Sequence, residues 1–473
     1  MKILLINPQL KQVIKSNFPD EIDKKVMSLP PLGILYISAF LKKKAIHAVN
    51  FLDMAAGNIS VLELEDIIIE KRPALIGIYT STFNLPDVFL TAQRIKKIDP
   101  NIHITLGGPH VNIYPEETLL NSDIDSIVTG EGEIAFSELA DALENNISLS
   151  NVKGILYRDR VSVIKTSPPE LIENLDILPF PDRKNLYLKR YYNTLSPDSI
   201  STTMISSRGC PYDCIFCYHA HMGKGVRFRS SNNVVSEMEE CASLGIRDIF
   251  FIDDVFTLNK KRTFEICNEI IERKLNIKWS IRTRVDSVDI SMLKKLKAAG
   301  CERIQFGIEA GTSQILSILN KEITLAQAEE AFRLAKEEGI ETLAYFMIGS
   351  PTETRDQILE TIDFAIRLNP DYAHFSITMP FPDTELYKIG LERNIFRNDF
   401  WREFAKHPNA TSKLYYWEEC LSEKELCLLL KHAYKRFYFR PVYFLKLLLK
   451  PRSLKDLRKK IKMGIKLFEY AFS

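Results

Sequence analysis

Three cysteines within eight residues are the clearest chemical feature of this sequence. They lie in Cys210-Pro-Tyr-Asp-Cys214-Ile-Phe-Cys217, and no cysteine precedes them in the chain. Thiolates this close together can converge on one metal centre from a single loop. Two kinds of centre fit: a zinc ion with His219 or His221 as a further ligand, and a cubane iron–sulfur cluster. With three thiolates, one iron of such a cluster stays open for another ligand.

The other five cysteines predict no second centre. Cys241, Cys267, Cys301, Cys420 and Cys427 are scattered, and we expect them in the core or on the surface. Eight cysteines in 473 residues are too few for a disulfide framework, which indicates a reducing compartment. No apolar run approaches the roughly 18 residues that cross a bilayer. The sequence therefore predicts a cytoplasmic protein.

The cysteine motif follows the first strand of an alternating series in residues 200–385. Apolar segments predict six strands, at 202–206, 248–252, 278–282, 303–307, 343–348 and 372–377. Amphipathic segments predict five helices between them, at 234–244, 261–273, 292–299, 325–338 and 355–368. Eight strands would close a full barrel, so six predict a partial (β/α)6 barrel of the TIM type. Its site is expected at the carboxyl ends of the strands.

Residues 1–150 carry a second alternating series. Strands are predicted at 2–6, 47–52, 75–80, 103–106 and 125–128, and helices near 32–43, 61–71, 85–97, 116–121 and 133–144. Strands rich in Ile, Val and Leu without strict alternation are typical of parallel sheets covered on both faces. The sequence thus predicts a doubly wound α/β domain of the flavodoxin or Rossmann type, with ligand-binding loops at the strand ends.

Two regions lack this alternation. Residues 151–199 contain several prolines and a tyrosine-rich stretch and are predicted to be a connector, whereas residues 386–473 are predicted to be helical. Residues 428–473 hold 13 Lys and Arg against 2 Asp and Glu, and the remainder holds 50 against 59. A last helix capped by Ser453 would set cations against an apolar stripe. This tail would either bind a membrane surface or pack on the acidic body; we expect no nucleic-acid partner, because no recognition module is present.

The Cys-x3-Cys-x2-Cys spacing, with an aromatic residue before the last cysteine, resembles that of radical S-adenosylmethionine (SAM) enzymes. The resemblance covers residues 200–385 and agrees with the partial barrel. It implies a [4Fe–4S] cluster on Cys210, Cys214 and Cys217, whose open iron takes the amino and carboxylate groups of SAM. An electron from a flavodoxin- or ferredoxin-type donor would then cleave SAM to methionine and a 5′-deoxyadenosyl radical, which abstracts hydrogen from an unactivated carbon.

The same resemblance implies SAM-binding residues. Phe216 would lie against the adenine, and the others end successive strands: Asp253, Asp254, Arg282, Arg284, Glu309, Ile348 and Gly349. Asp253 and Asp254 stand where the family has Gly-Gly-Glu. A carboxylate there could still accept hydrogen bonds from the SAM ammonium.

A doubly wound domain before the cysteines resembles the cobalamin-binding branch of this family. The matching segments are Pro30-Pro31-Leu-Gly33, Gly107-Gly108-Pro109-His110, Gly130-Glu131-Gly132-Glu133, Leu178-Pro-Phe-Pro-Asp182 and residues 381–387. The resemblance implies that cobalamin is bound by Pro8, Gly33, Ser81, Thr82, Gly107, Gly108, Pro109, His110, Gly130, Glu131 and Gly132. No histidine lies in an Asp-x-His-x-x-Gly pattern, so we expect no protein ligand to cobalt. The alternative is a flavodoxin-like domain without a cofactor.

The combined prediction is a radical SAM enzyme with cobalamin that methylates an unactivated carbon of a small molecule. A hydrophobic substrate would suit a tail that binds membranes. Four alternatives stay open: cobalamin-dependent cyclisation or rearrangement, a cobalamin-free radical SAM enzyme, an iron–sulfur electron carrier and a zinc-stabilised binding protein. The sequence identifies no catalytic side chain and no particular substrate.

Overall fold

A computed structural model describes residues 1–14, 27–160, 162–193, 199–218, 223, 225–409, 411–441, 443, 464–466 and 468–470. The amino-terminal part contains eight strands: β1 Lys2–Asn7, β2 Met27–Ser28, β3 Ala48–Asp53, β4 Leu75–Tyr79, β5 His103–Gly107, β6 Ser126–Val128, β7 Ile155–Asp159 and β8 Ser162–Lys165. Its helices are α1 Leu32–Lys44, α2 Met54–Gly57, α3 Val61–Lys71, α4 Leu85–Ile98, α5 Pro109–Ile113, α6 Pro115–Leu119 and α7 Gly132–Glu144.

Seven of these strands form one sheet in the order β3-β1-β4-β5-β6-β7-β8. The first five are parallel, in the order of a flavodoxin-like doubly wound fold. Alternate residues of β1 enter different cores, since Leu4 and Ile6 pack on one face and Ile3 and Leu5 on the other. The predicted doubly wound domain is thereby confirmed.

The hairpin β7–β8 was not expected from the sequence. It joins the sheet edge by antiparallel pairing with β6. The sheet therefore continues to Lys165, past residue 150, where the sequence analysis placed the start of the connector. Further on, Tyr192–Asn193 forms a short strand, β9, that pairs with β2.

The second sheet contains six parallel strands in the order β10-β13-β14-β15-β16-β17. The strands of this part are β10 Ser201–Met204, β11 Ser207–Arg208, β12 Arg227–Phe228, β13 Asp248–Phe251, β14 Lys278–Thr283, β15 Cys301–Glu309, β16 Glu341–Ile348 and β17 Tyr372–Ile377. Its helices are α8 Ser231–Ser243, α9 Lys260–Glu272, α10 Ile290–Ala298, α11 Ser313–Ile318, α12 Leu325–Glu337 and α13 Arg355–Leu368. All six predicted strands are present, and the partial barrel is confirmed.

Local sequence explains where several helices begin. Thr324 with Gln327 and Thr354 with Gln357 form capping boxes, in which the side chain of each residue satisfies a backbone N–H of the other. The core behind the barrel strands includes Trp279, which is fully buried and donates its indole N–H to the Ala299 carbonyl at 2.8 Å. The capping boxes fix the starts of α12 and α13, and the Trp279 bond ties the amino ends of β14 and β15 together.

In the part of the carboxyl-terminal region that the structure describes, the predicted helices are present as α14 Glu385–Glu392, α15 Phe400–Lys406 and α16 Glu423–Tyr438. Helix α16 covers β17: the Tyr438 hydroxyl donates to the Ala373 carbonyl at 2.7 Å. Most of the helix predicted after Ser453 lies outside the described residues. In its described part, Tyr470 packs edge-on against Tyr434 at 6.0 Å between ring centroids. No described helix combines the length and apolar character needed to cross a membrane.

Candidate functional site

The cysteine motif lies on a loop whose two ends are held together. Strands β11 and β12 pair antiparallel, with Arg208 opposite Arg227, so residues 209–226 leave and return at one point. Within the loop, the Ile215 N–H donates to the Leu319 carbonyl at 3.2 Å, and the Ile215 carbonyl accepts from the Leu386 N–H at 2.8 Å. The loop is therefore anchored to the ends of α11 and α14, at the carboxyl edge of the barrel.

All three cysteines of this loop are free thiols, with Cys210 and Cys214 half-buried and Cys217 exposed. Loss of hydration raises the pKa of each thiol; for Cys217 the pKa reaches about 12, mainly for this reason, and negative charge from Asp254, Cys214 and Cys210 adds to the effect. Among the described residues, no three His, Cys, Asp or Glu side chains surround a single ion. The cysteines that hold a cubane cluster lie farther apart than the ligands of a single ion, because each cysteine binds a different iron. The donor set fits such a cluster; His219 and His221 lie outside the described residues.

Arg284 packs against the cysteine loop. Its guanidinium carbon lies 3.6 Å from the centroid of the Tyr212 ring. It also donates two hydrogen bonds of 2.9 Å to the Asp286 carboxylate and one of 3.1 Å to the Glu322 carbonyl. Arg284 therefore helps to hold the cysteine loop in place, a role that was not predicted from the sequence. Its implied contact with SAM stays a prediction.

Glu309 forms a buried ion pair with Lys321, a residue missed by the sequence analysis. The Lys321 ammonium lies 2.8 Å from Glu309 Oε1, with both side chains about nine-tenths buried. It also lies 5.8 Å from the centroid of the Phe216 ring, and its charge lowers the pKa of the Cys214 thiol against the effect of burial. Glu309 has a left-handed φ of 72° at the end of β15. The pair thus places a cation beside the cysteine loop.

The two acids after β13 have different surroundings. Asp253 is 1% exposed, and its carboxylate accepts hydrogen bonds from Ser206 N, Ser206 Oγ and Ser207 Oγ at 2.5–3.1 Å. It therefore stabilises the backbone that leads into β11. Asp254 is exposed and interacts electrostatically with Cys210 and Cys217. Of the two acids, Asp254 is the one placed at the cysteine loop.

The remaining implied SAM residues lie on β14 and after β16. Arg282 is half-buried, with its guanidinium 5.0 Å from the Phe250 ring centroid. Ile348 is fully buried. Gly349 has a φ of 74°, and a methyl group there would lie 2.6 Å from Leu426 of α16. Leu426 thus packs so closely on Gly349 that a side chain there would clash, which explains why a glycine is required at this position.

The amino-terminal sheet presents an open carboxyl edge. A methyl group added at Gly33 would meet no atom within 4 Å, and one added at Gly107 would meet only the Val128 carbonyl at 3.9 Å. Gly108 has a φ of 130°, and a methyl group there would lie 2.5 Å from the Thr80 carbonyl. Two glycines thus open onto free space while a third brings neighbouring loops together. This edge fits a bulky ligand such as cobalamin.

Polar contacts tie the loops of this edge to one another. The Thr82 hydroxyl lies 3.1 Å from His110 Nδ1. His110 is fully buried, which lowers its pKa to about 3 and keeps it neutral. Asn112 accepts from the Gly130 N–H at 2.6 Å and donates to the Gly108 carbonyl at 3.3 Å. Asn112 was missed because nothing in its local sequence shows that it joins two glycine loops.

The other implied cobalamin residues differ in exposure. Pro8 is buried directly after β1, Ser81 and Gly132 are half-buried, and Pro109 is exposed at the start of α5. Glu131 is 6% exposed, and its carboxylate is bound by Arg208 and Arg227. Glu131 is therefore held by two arginines at the base of the cysteine loop, and its implied contact with cobalamin stays a prediction.

The two carboxyl edges contact each other. Phe83, in the loop after β4, packs edge-on against Phe381, in the loop after β17, with 6.0 Å between centroids. It also packs against Trp401 at 6.3 Å. Loops that follow strands of the first sheet thus lie against loops that follow strands of the barrel. The segment 381–386 therefore contacts both the first sheet, through Phe381, and the cysteine loop, through the Leu386 N–H bound to Ile215.

Comparisons with known proteins agree with this architecture. Residues 204–365 match the radical SAM superfamily, and residues 24–140 match the B12 binding domain. An uncharacterized methyltransferase of Pyrococcus horikoshii is 34% identical over 451 residues, which cover 94% of each chain. An anaerobic magnesium-protoporphyrin IX monomethyl ester cyclase of Cereibacter sphaeroides is 30% identical and covers 88% of this chain and 68% of its own.

One solved structure has a similar fold. The cobalamin-dependent SAM radical enzyme OxsB, determined with aqua-cobalamin and SAM bound, has a TM-score of 0.75 and 18% identity, covering 100% of this chain and 72% of its own. The radical SAM family implies the [4Fe–4S] cluster and SAM, and the B12 binding domain implies cobalamin. The chain belongs to the radical SAM superfamily, as an enzyme whose radical SAM domain follows a B12 binding domain.

Proposed function

We propose that this enzyme is a cobalamin-dependent methyltransferase that acts on an unactivated carbon of a small molecule. The observation that carries the proposal is the contact between the two carboxyl edges, where the segment 381–386 packs against Phe83 of the first sheet and is bound to Ile215 of the cysteine loop. A relative named as a methyltransferase is 34% identical over 94% of the chain, which favours methyl transfer over other reactions of the family.

In this proposal residues 200–385 hold the cluster and SAM. Cys210, Cys214 and Cys217 bind the cluster, which together with SAM supplies a 5′-deoxyadenosyl radical when bound. Lys321 offers a positive charge to the SAM carboxylate, because its ammonium lies next to Cys214 and Phe216. The other proposed SAM contacts are Phe216 with adenine, and Asp254, Arg282, Glu309 and the backbone at 348–349 with polar groups.

Residues 1–165, counted to the end of the β7–β8 hairpin, bind cobalamin, which supplies the methyl group. Gly33, Gly107 and Gly108 allow close approach of the backbone, and Thr82 offers a hydroxyl that the buried His110 orients at 3.1 Å. Within residues 386–473, the described helix α16 covers β17 of the barrel. This division is part of the proposal and is supported by the two sheets and their separate loops.

Oxidative cyclisation is the second candidate. The relative that supports it is named as a cyclase and is 30% identical over 88% of this chain. Both reactions need the same cluster and the same radical. They differ in the fate of SAM, since only a methyl transfer converts part of it to S-adenosylhomocysteine.

The fate of SAM therefore tests the proposal. Anaerobically reconstituted protein, loaded with cobalamin and reduced, is given methyl-labelled SAM and a metabolite extract from cells lacking the gene. A methyltransferase releases 5′-deoxyadenosine and S-adenosylhomocysteine and labels one small molecule, all measurable by mass spectrometry. Release of 5′-deoxyadenosine with no label would favour cyclisation. Bound zinc without 5′-deoxyadenosine would contradict both.

Two partners belong to this proposal. A flavodoxin- or ferredoxin-type protein would donate the electron, supported by the exposure of Cys217 at the edge of the cysteine loop. The tail would contact a membrane surface through side chains such as Ile465 and Phe468, which are 55% and 50% exposed. A liposome co-sedimentation experiment on the full chain, with and without anionic lipid, tests the second contact; equal sedimentation with neutral lipid contradicts an electrostatic contribution.

A further inference from the structure

One carboxylate holds both ends of the cysteine loop. Glu131 Oε1 accepts a hydrogen bond of 2.6 Å from Arg208 Nη1, and Oε2 accepts one of 2.8 Å from Arg227 Nη1. Arg208 and Arg227 are paired residues of β11 and β12, at the entry and exit of residues 209–226. A residue of the amino-terminal domain therefore closes the base of a loop in the other domain.

The network around this carboxylate is buried and balanced in charge. Glu133 accepts from the second nitrogen of Arg208 at 2.5 Å. The side chains of Glu131, Glu133, Arg208 and Arg227 are 2–9% exposed. Burial opposes the charge of Glu131, but the hydrogen bonds from Arg227 and Arg208 lower its pKa below the usual value. Buried charges persist only when they are paired, so these four side chains fix one another.

The network is continuous with the cysteines on one side. Cys210 comes two residues after Arg208, and the intervening Gly209 has a φ of 98°. A methyl group at Gly209 would lie 2.2 Å from the Gly225 carbonyl, so the two ends of the loop are in close contact. A displacement of Arg208 would therefore move the backbone of Cys210.

The network is also continuous with the open glycine edge. Glu131 lies between Gly130 and Gly132, and the Gly130 N–H donates to Asn112 at 2.6 Å. Asn112 in turn donates to the Gly108 carbonyl at 3.3 Å. Backbone and side-chain contacts thus connect Gly108 with Cys210 through Glu131.

We propose that Glu131 is a positioning residue that fixes the cysteine loop from the amino-terminal domain, and that it is not a ligand of cobalamin. This inference rests on the proposed function, because it concerns how the cluster presents its open iron to SAM. Beyond the proposed function, the amino-terminal domain contributes to SAM binding even when it carries no cobalamin.

The test compares Glu131→Gln with Glu138→Gln, a change of the same chemistry at an exposed position of α7, the helix that begins directly after Glu131. Both proteins are reconstituted with iron and sulfide, and the reduced cluster is examined by electron paramagnetic resonance with and without SAM, before cobalamin is added. We expect E131Q to retain its iron but to lose most of the SAM-dependent change in the spectrum. Uncoupled SAM cleavage should fall by about tenfold or more, while cobalamin affinity stays within about threefold; E138Q should match the wild type.

Two results would overturn the inference. One is an E131Q spectrum that responds to SAM as that of E138Q does; the other is loss of cobalamin binding in E131Q, whatever its SAM response. If E131Q does not fold, Arg227→Lys keeps the charge but replaces the guanidinium, and should show the same weakened SAM response. A wild-type protein that holds no cluster would instead contradict the proposed function.

Discussion

The two carboxyl edges use different kinds of residue. At the barrel edge the charged side chains are mostly bound to other protein groups: Arg284 to Asp286 and Tyr212, Glu309 to Lys321, and Asp253 to Ser206 and Ser207. At the edge of the first sheet, Gly33 and Gly107 open onto free space. The barrel edge thus holds a loop of thiols in place, whereas the first edge leaves room for a ligand. Each region should therefore respond differently to substitution.

The largest effect is expected at the cysteines. Cys214→Ala should abolish the cluster and with it all cleavage of SAM, because the remaining two thiols leave a second iron without a protein ligand. Iron and sulfide content and 5′-deoxyadenosine formation measure this. Cys420→Ala, at an exposed cysteine outside the barrel, is the control. Retained SAM cleavage in C214A would refute the ligand set.

The next effect concerns the buried pair beside the cysteine loop. Lys321→Met leaves the Glu309 carboxylate buried without its partner, which should lower the free energy of unfolding by about 3–5 kcal/mol. Chemical denaturation measures it. Lys388→Met removes an exposed pair with Asp383 and should cost at most about 1 kcal/mol.

A double variant sharpens this result. Adding Glu309→Gln to Lys321→Met removes the uncompensated charge and should recover part of the lost stability. No recovery would show that Lys321 stabilises the protein by contacts other than this pair.

Two glycines of the first sheet should respond differently to substitution, because Gly77 is packed against a side chain whereas Gly107 opens onto free space. Gly77→Ala would place a methyl group 2.6 Å from the Phe136 ring and should destabilise the protein by about 1–3 kcal/mol. Gly107→Ala should change stability by less than about 0.5 kcal/mol but weaken cobalamin binding about tenfold. Thermal denaturation and absorbance titration measure the two quantities. An unchanged cobalamin affinity in G107A would remove Gly107 from the ligand edge.

The most gradual effect is a pH dependence of the barrel, because it is spread over more than two pH units. Burial raises the pKa of Glu353 from 4.5 to about 7. The folded state therefore binds this proton more tightly than the unfolded state, and the contribution to stability is complete below pH 4.5 and is lost as pH rises through 7. The loss is at most about 1.4 kcal/mol per pH unit.

Glu353→Gln should flatten this part of the stability profile. Urea denaturation at several pH values between 4.5 and 8 measures it. The contribution of His110 to stability depends on pH in the opposite direction. Burial lowers the pKa of His110 from 6.5 to about 3, so its contribution to stability is complete above pH 6.5 and is lost as the pH falls towards 3. A profile of E353Q that is parallel to that of the wild type would contradict the assignment.

Most of the fold could be predicted from the sequence. Strand and helix periodicity gave the positions of the five parallel strands of the first sheet and all six strands of the barrel. The β7–β8 hairpin was missed because β8 is mostly exposed and mixed in composition, like a linker, and because the pairing of β7 with β6 joins segments separated by α7. The periodicity of a segment shows which of its residues are buried, but it does not show with which other strand the segment pairs.

The sequence by itself determined the chemistry of this protein: the spacing of three cysteines and the order of the strands around them are local properties. Tertiary structure decided which charged residues are available to a ligand. Arg284, Asp253 and Glu131 were predicted to bind cofactors, and those contacts stay predictions; in the structure Arg284 packs on Tyr212, Asp253 accepts from Ser206, and Glu131 pairs with Arg208. The physical reason is that a buried charge needs a partner, and packing brings that partner from distant parts of the chain.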